Sequence, residues 1–181
     1  MNDRGPTFPH LVIKTIVVHT VTYFVVGILA FWLFDYAEIY ARPGMASIMR
    51  QTSDPLVMGG PLFQPLRGLV FALAIYPLRE IVFARARGWL VLWWLFVALG
   101  ILSTFGPAPG SIEGLIYTVL PVRRQLLGLV EVLIQSLLLA LGLVYWVNHP
   151  EKRWLGRLMT VAFVLVLLLP LAGLLTRSRG A

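Results

Sequence analysis

The chain has 181 residues, 59% of them hydrophobic and 13% charged, with a mean hydropathy of +0.83. A soluble domain usually holds about 45–50% apolar and about 25% charged residues, so composition excludes an ordinary water-soluble fold. The absence of cysteine excludes disulfides, a thiolate nucleophile and a cysteine-ligated metal. The net charge is +7 and the pI near 10.4, but the basic residues mostly flank apolar runs. Anionic lipid headgroups, not nucleic acid, are therefore the expected partners.

The first apolar run, Leu11–Phe34, is too long for the roughly 7–15-residue core of a secretory signal, and no small-residue cleavage site follows it. It reads as a first span and its own targeting signal. His19 lies inside it, with Thr15, Thr22 and Tyr23 in helical register. Two roles are open for His19: a proton relay, or a histidine hydrogen-bonded between helices. Lys14 is long enough to snorkel to the interface.

Residues 35–65 form a long connection rich in proline and glycine, with Asp35, Glu38 and Asp54 along it. A second span is expected over Leu66–Phe83, opened by Arg67 and disturbed by Pro77. Arg79 and Glu80 near its end are adjacent in sequence, point apart on a helix and each require another partner. A tight basic turn, Ala84–Arg87, leads to a third span, Gly88–Phe105.

The stretch GPAPGSIEGLIYTVLP, Gly106–Pro121, interrupts the apolar pattern. Pro107 and Pro109 end the third span. Ser111 is a good N-cap, and Glu113 falls in the first turn, where the helix dipole favours an anion. Ile112, Leu115, Ile116, Val119 and Leu120 then make one apolar stripe, so a short interfacial or re-entrant helix is expected near 111–120.

Leu126–Val147 and Leu155–Thr176 complete five spans, joined by a second tight basic turn, Asn148–Trp154; Pro170 is expected to kink or shorten the last. The predicted fold is an all-α, polytopic transmembrane helix bundle forming a single integral membrane domain over residues 1–181. Five crossings place both long connections on one face, opposite the N-terminus and the tight turns. The short basic turns favour a cytoplasmic N-terminus, and a bacterial inner membrane is the default location.

Ionisable groups at membrane depth cost at least ~2.5–3.5 kcal/mol on insertion scales, so each one needs a reason. Glu131 and Gln135 share a face of the fourth span. A Glu131–Arg67 pair is sterically reasonable. Glu113, Glu131, Gln135, Arg67, Arg123, Arg124 and His19 are the candidate polar site. No histidine or acidic spacing supports a metal site, and no nucleophile elbow, phosphate loop or dinucleotide fingerprint is present. No cofactor is expected. Three functions stay open: a non-enzymatic component of a membrane complex, partnered by lipid, other membrane proteins or itself; a membrane-embedded enzyme or binding protein for an anionic lipid-like substrate; or a small proton-coupled carrier lined by His19, Glu131 and Gln135.

Overall fold

The computed structural model describes residues 5–179, and every regular element among them is helical. Helix α1 runs Phe8–Leu33, with Pro9 in the first turn, where its missing N–H costs nothing. Its 26 residues give about 39 Å, more than the ~30 Å hydrocarbon core. The first long connection then folds into α2 (Tyr36–Ala41), α3 (Pro43–Ala46), α4 (Pro55–Met58) and a 3₁₀ turn at Gly60–Phe63.

Helix α5 (Gln64–Ile75) passes through a 3₁₀ turn at Tyr76–Leu78, around Pro77, into α6 (Arg79–Phe83). Helix α7 (Gly88–Leu95) continues as a π-helical segment, Phe96–Leu102. The short α8 (Ile112–Tyr117) precedes two long helices, α9 (Val122–Asn148) and α10 (Arg153–Arg179). Helix α10 runs on through Pro170 to Arg179, so the proline does not shorten it.

Three helices are long and apolar enough to cross a membrane: Phe8–Leu33, Val122–Asn148 and Arg153–Arg177; Gly88–Leu102 is a shorter apolar helix. Two of the five expected spans therefore fall short of that length. The third ends at Leu102, before Phe105. The second is divided at Pro77 and covers only part of α1. Gln64 meets His19 at 3.1 Å, and a Cβ on Gly68 would lie 2.7 Å from the Ile16 Cα. Near the far end, the Phe8 and Tyr76 rings are 5.0 Å apart. Helix α5 thus begins level with the middle of α1 and runs antiparallel down its N-terminal half.

Helix α9 instead lies along α1 over most of its length. Lys14 Nζ donates to the Trp146 carbonyl at 2.6 Å, a Cβ on Gly142 would touch Val18 at 3.2 Å, and Tyr36 reaches back to Glu131. Lys14 is 4% exposed, so it does not snorkel; it satisfies a carbonyl in the last turn of α9, where a cation is favoured by the dipole. Arg79 and Glu80 also depart from expectation: they pair with each other at 3.4 Å, and Arg79 lies over the Tyr76 ring.

The best-packed core, including Leu11, Val18, Val82, Leu92, Leu139 and Leu143, fills the half of the bundle around the N-terminus of α1.

Candidate functional site

His19 is fully buried on α1. Gln64 fixes its ring. The Gln64 amide nitrogen donates to the Gly60 carbonyl at 3.2 Å, which turns the amide oxygen toward His19. His19 Nε2–H donates to that oxygen at 3.1 Å, making this an interhelical hydrogen bond. Nδ1 and the neighbouring Thr20 hydroxyl are buried without a partner among the described residues. The edge of Phe71 packs on the imidazole, with centroids 4.9 Å apart and planes at 90°.

Arg67 follows Gln64 by three residues, so both emerge from the same side of α5. Its guanidinium stands 5.5 Å from the Phe71 ring, which also packs on Phe96 at 5.3 Å. Among the described residues, no carboxylate lies within ion-pair distance of Arg67. Arg67 instead lines a cleft of about 240 Å³ between α5, the π-helical segment, α9 and residues 104–109. The polar lining is Arg67, Thr104, Gln135 and Ser136; the rest is apolar, including Phe96 and Leu139. The Thr104 and Ser136 hydroxyls donate to the carbonyls of Gly106 and Leu133. The Gln135 amide makes no hydrogen bond to the described residues. Arg67 and Gln135 thus present uncommitted donors to one apolar cleft. The π-helical segment forms part of its wall, and such segments recur at functional sites.

Glu131 sits on α9 one turn before Gln135, and its partner is Tyr36, not Arg67. Asp35 makes this possible. It adopts a left-handed conformation, φ 51°, caps α2 through the Glu38 N–H at 3.4 Å, and turns the chain back toward α9. Burial, then the bond to Glu131, pushes the Tyr36 phenol far above its ordinary range, so the phenol remains the donor.

Arg123 and Arg124 occupy a second cavity, about 390 Å³, at the rim where α1 ends and α9 begins; it is also lined by Asp35, Glu38 and Arg42. Glu38 pairs with Arg42 at 2.6 Å, and that guanidinium holds its carboxyl below the usual range. Asp54 lies elsewhere: it caps α4 through the Leu56 N–H and pairs with Arg50 at 3.1 Å.

The expected single site is therefore divided. Arg67 and Gln135 share the inner cleft, Arg123 and Arg124 share the rim cavity, Glu131 lies between them along α9, and His19 is walled off by Phe71. Glu113 belongs to neither cavity. Ser111 and Gly114 face inward: the Ser111 hydroxyl accepts the Gly114 N–H at 2.9 Å, and a Cβ at Gly114 would fall 1.9 Å from the Ala108 carbonyl oxygen. That register turns Glu113 outward, where it is exposed. The helix is also shorter than the expected 111–120. It ends when Thr118 bonds the Gly114 carbonyl and adopts extended backbone, leaving Val119 and Leu120 outside.

Sequence reading missed Gln64, Tyr36 and Gln125. Buried Gln125 accepts from the Gly110 N–H at 3.0 Å and donates to the Leu120 carbonyl at 2.9 Å, fixing the 106–121 loop onto α9. A glutamine in the opening turn of an apolar helix was the available signal. Among the described residues, no group of histidines and acids could hold a metal. No protein-family model, curated protein or solved structure matches the chain.

Proposed function

We propose that this integral membrane protein binds an anionic, lipid-like amphiphile in the inner cleft, with the charged group on Arg67 and Gln135 and the tail along Phe96 and Leu139. One observation carries the reading. Arg67 stands on the first turn of α5, level with the middle of α1; its exposed side chain lines an apolar cleft and has no carboxylate partner among the described residues. An unpaired cation at that depth is costly, and a ligand anion offsets the cost. A bidentate guanidinium suits phosphate or carboxylate alike.

The five-span topology is part of this proposal. Gln64–Phe83 and Gly88–Leu102 serve as the second and third spans, with residues 104–109 forming part of the cleft wall. The basic turns at Arg85–Arg87 and Lys152–Arg153 favour a cytoplasmic location for the end that carries them under the positive-inside rule. Single cysteines introduced into this cysteine-free chain and labelled from either side test the orientation.

Equilibrium binding of dodecyl phosphate to the chain in phosphatidylcholine nanodiscs tests the function, with dodecanol as the uncharged control. Saturable binding of the phosphate alone is expected. Arg67→Gln should weaken it about ten- to hundredfold, the loss of ~1.5–3 kcal/mol for a charge-assisted contact. Equal binding of both probes, or an unaffected variant, refutes the proposal.

A second reading, membership of a membrane complex, rests on α10. Only 11% of its most apolar window is buried, leaving nearly the whole helix to lipid or to a partner helix. Crosslinking from Leu165 in native membranes distinguishes them.

A further inference from the structure

The rim cavity is chemically unlike the inner cleft. Its cations are Arg42, Arg123 and Arg124, its anions Asp35 and Glu38, and its apolar wall includes Phe34 and Leu127. Arg42 and Glu38 neutralise each other at 2.6 Å. What remains is one carboxylate, Asp35, facing two guanidinium groups that have no ion-pair partner among the described residues. Asp35 accepts the Glu38 N–H through a long, 3.4 Å contact and lies beside the Glu38 carboxyl, and acceptor capacity remains on it. A simple anion would satisfy the arginines but meet Asp35. A simple cation would do the reverse.

We propose that this cavity binds a zwitterionic headgroup carrying a phosphate beside a primary ammonium, as in an aminophospholipid. The phosphate lies on Arg123 and Arg124, and the ammonium donates to Asp35. The lipid, not a soluble phosphoamine, is the source, because the cavity joins the end of α1 to the start of α9 and its apolar wall continues onto both helices. A quaternary ammonium has no N–H to donate, so Asp35 discriminates by hydrogen bonding as well as by charge. The site is independent of the inner cleft and stands or falls separately from it.

Native mass spectrometry of the chain released from nanodiscs containing equal phosphatidylethanolamine and phosphatidylcholine tests the assignment. The unmodified chain should retain phosphatidylethanolamine about tenfold over phosphatidylcholine, the ratio from one charge-assisted hydrogen bond. Asp35→Asn, which keeps a residue tolerant of the left-handed backbone, should retain both lipids equally. Arg123→Gln with Arg124→Gln should lose both. Arg50→Gln, outside the cavity, should change neither. Equal retention by the unmodified chain, or a preference surviving Asp35→Asn, overturns the proposal. So does displacement of the lipid by an equal concentration of free phosphoethanolamine, which would make the ligand soluble.

Discussion

Gln64 accepts the His19 Nε2–H at 3.1 Å, and this contact sets where the second helical segment enters the bundle. Because Gln64 opens α5, the bond holds the start of that helix against the middle of α1. Arg67 then stands one turn along α5, its exposed side chain lining the cleft.

Gln64→Leu leaves a buried imidazole N–H without its acceptor, which costs ~1–3 kcal/mol. The variant should unfold at lower denaturant in detergent, and His19→Leu should behave similarly. The double variant should recover part of the loss, since neither polar group is then stranded. Fully additive losses would show that the two side chains are not coupled.

Gly68 permits the close approach of α5 to α1. A Cβ there would meet backbone at 2.7 Å, so the helices must separate. Gly68→Ala should cost ~1–3 kcal/mol through overpacking. At Gly27 nothing lies within 4 Å of the added carbon, and Gly27→Ala should be neutral or slightly stabilising. Thermal unfolding of the two variants in the same detergent makes the comparison.

Lys14 holds the last turn of α9 through the Trp146 carbonyl. Lys14→Met removes that donor and the charge opposing the dipole, and should cost ~1–2 kcal/mol. Hydrogen exchange should show the loss concentrated at the C-terminal end of α9. Uniform exchange across the bundle would contradict the local role.

Asp54 gives the first long connection a pH dependence. The Leu56 N–H, and then the Arg50 and Arg177 guanidinium groups, hold its carboxyl below the ordinary value of 3.8. A lowered folded-state pKa means that the stabilisation is present above that ordinary value and is lost as pH falls through the folded-state value. Protection of the Leu56 amide should therefore persist at neutral pH and fade only in acid. In Asp54→Asn the acid-dependent step should disappear.

The three long helices were legible because Leu11–Phe34, Leu126–Val147 and Leu155–Thr176 are continuous apolar runs, and lipid leaves a helix few alternatives. Ser111 was also legible as a cap, since that chemistry is local. The shorter helices in place of the second and third expected spans were not, because hydropathy cannot reveal that Gln64 docks beside His19 or that the helix changes to π geometry at Phe96. The Glu131 partner was missed for a similar reason. Arg67 has the obvious charge, but the left-handed turn at Asp35 brings Tyr36 to Glu131 instead. Side-chain type suggested which residues require partners, while backbone reversals between helices decided which ones meet.

Gly100 offers the most direct test of the inner cleft. It lines the cavity, and nothing lies within 4 Å of a Cβ added there, so Gly100→Leu fills the space while leaving Arg67 untouched. The decisive measurement is the dodecyl phosphate isotherm of this variant at full folded yield. Loss of saturable binding is expected, and retention of the unmodified affinity would contradict a ligand site at the cleft.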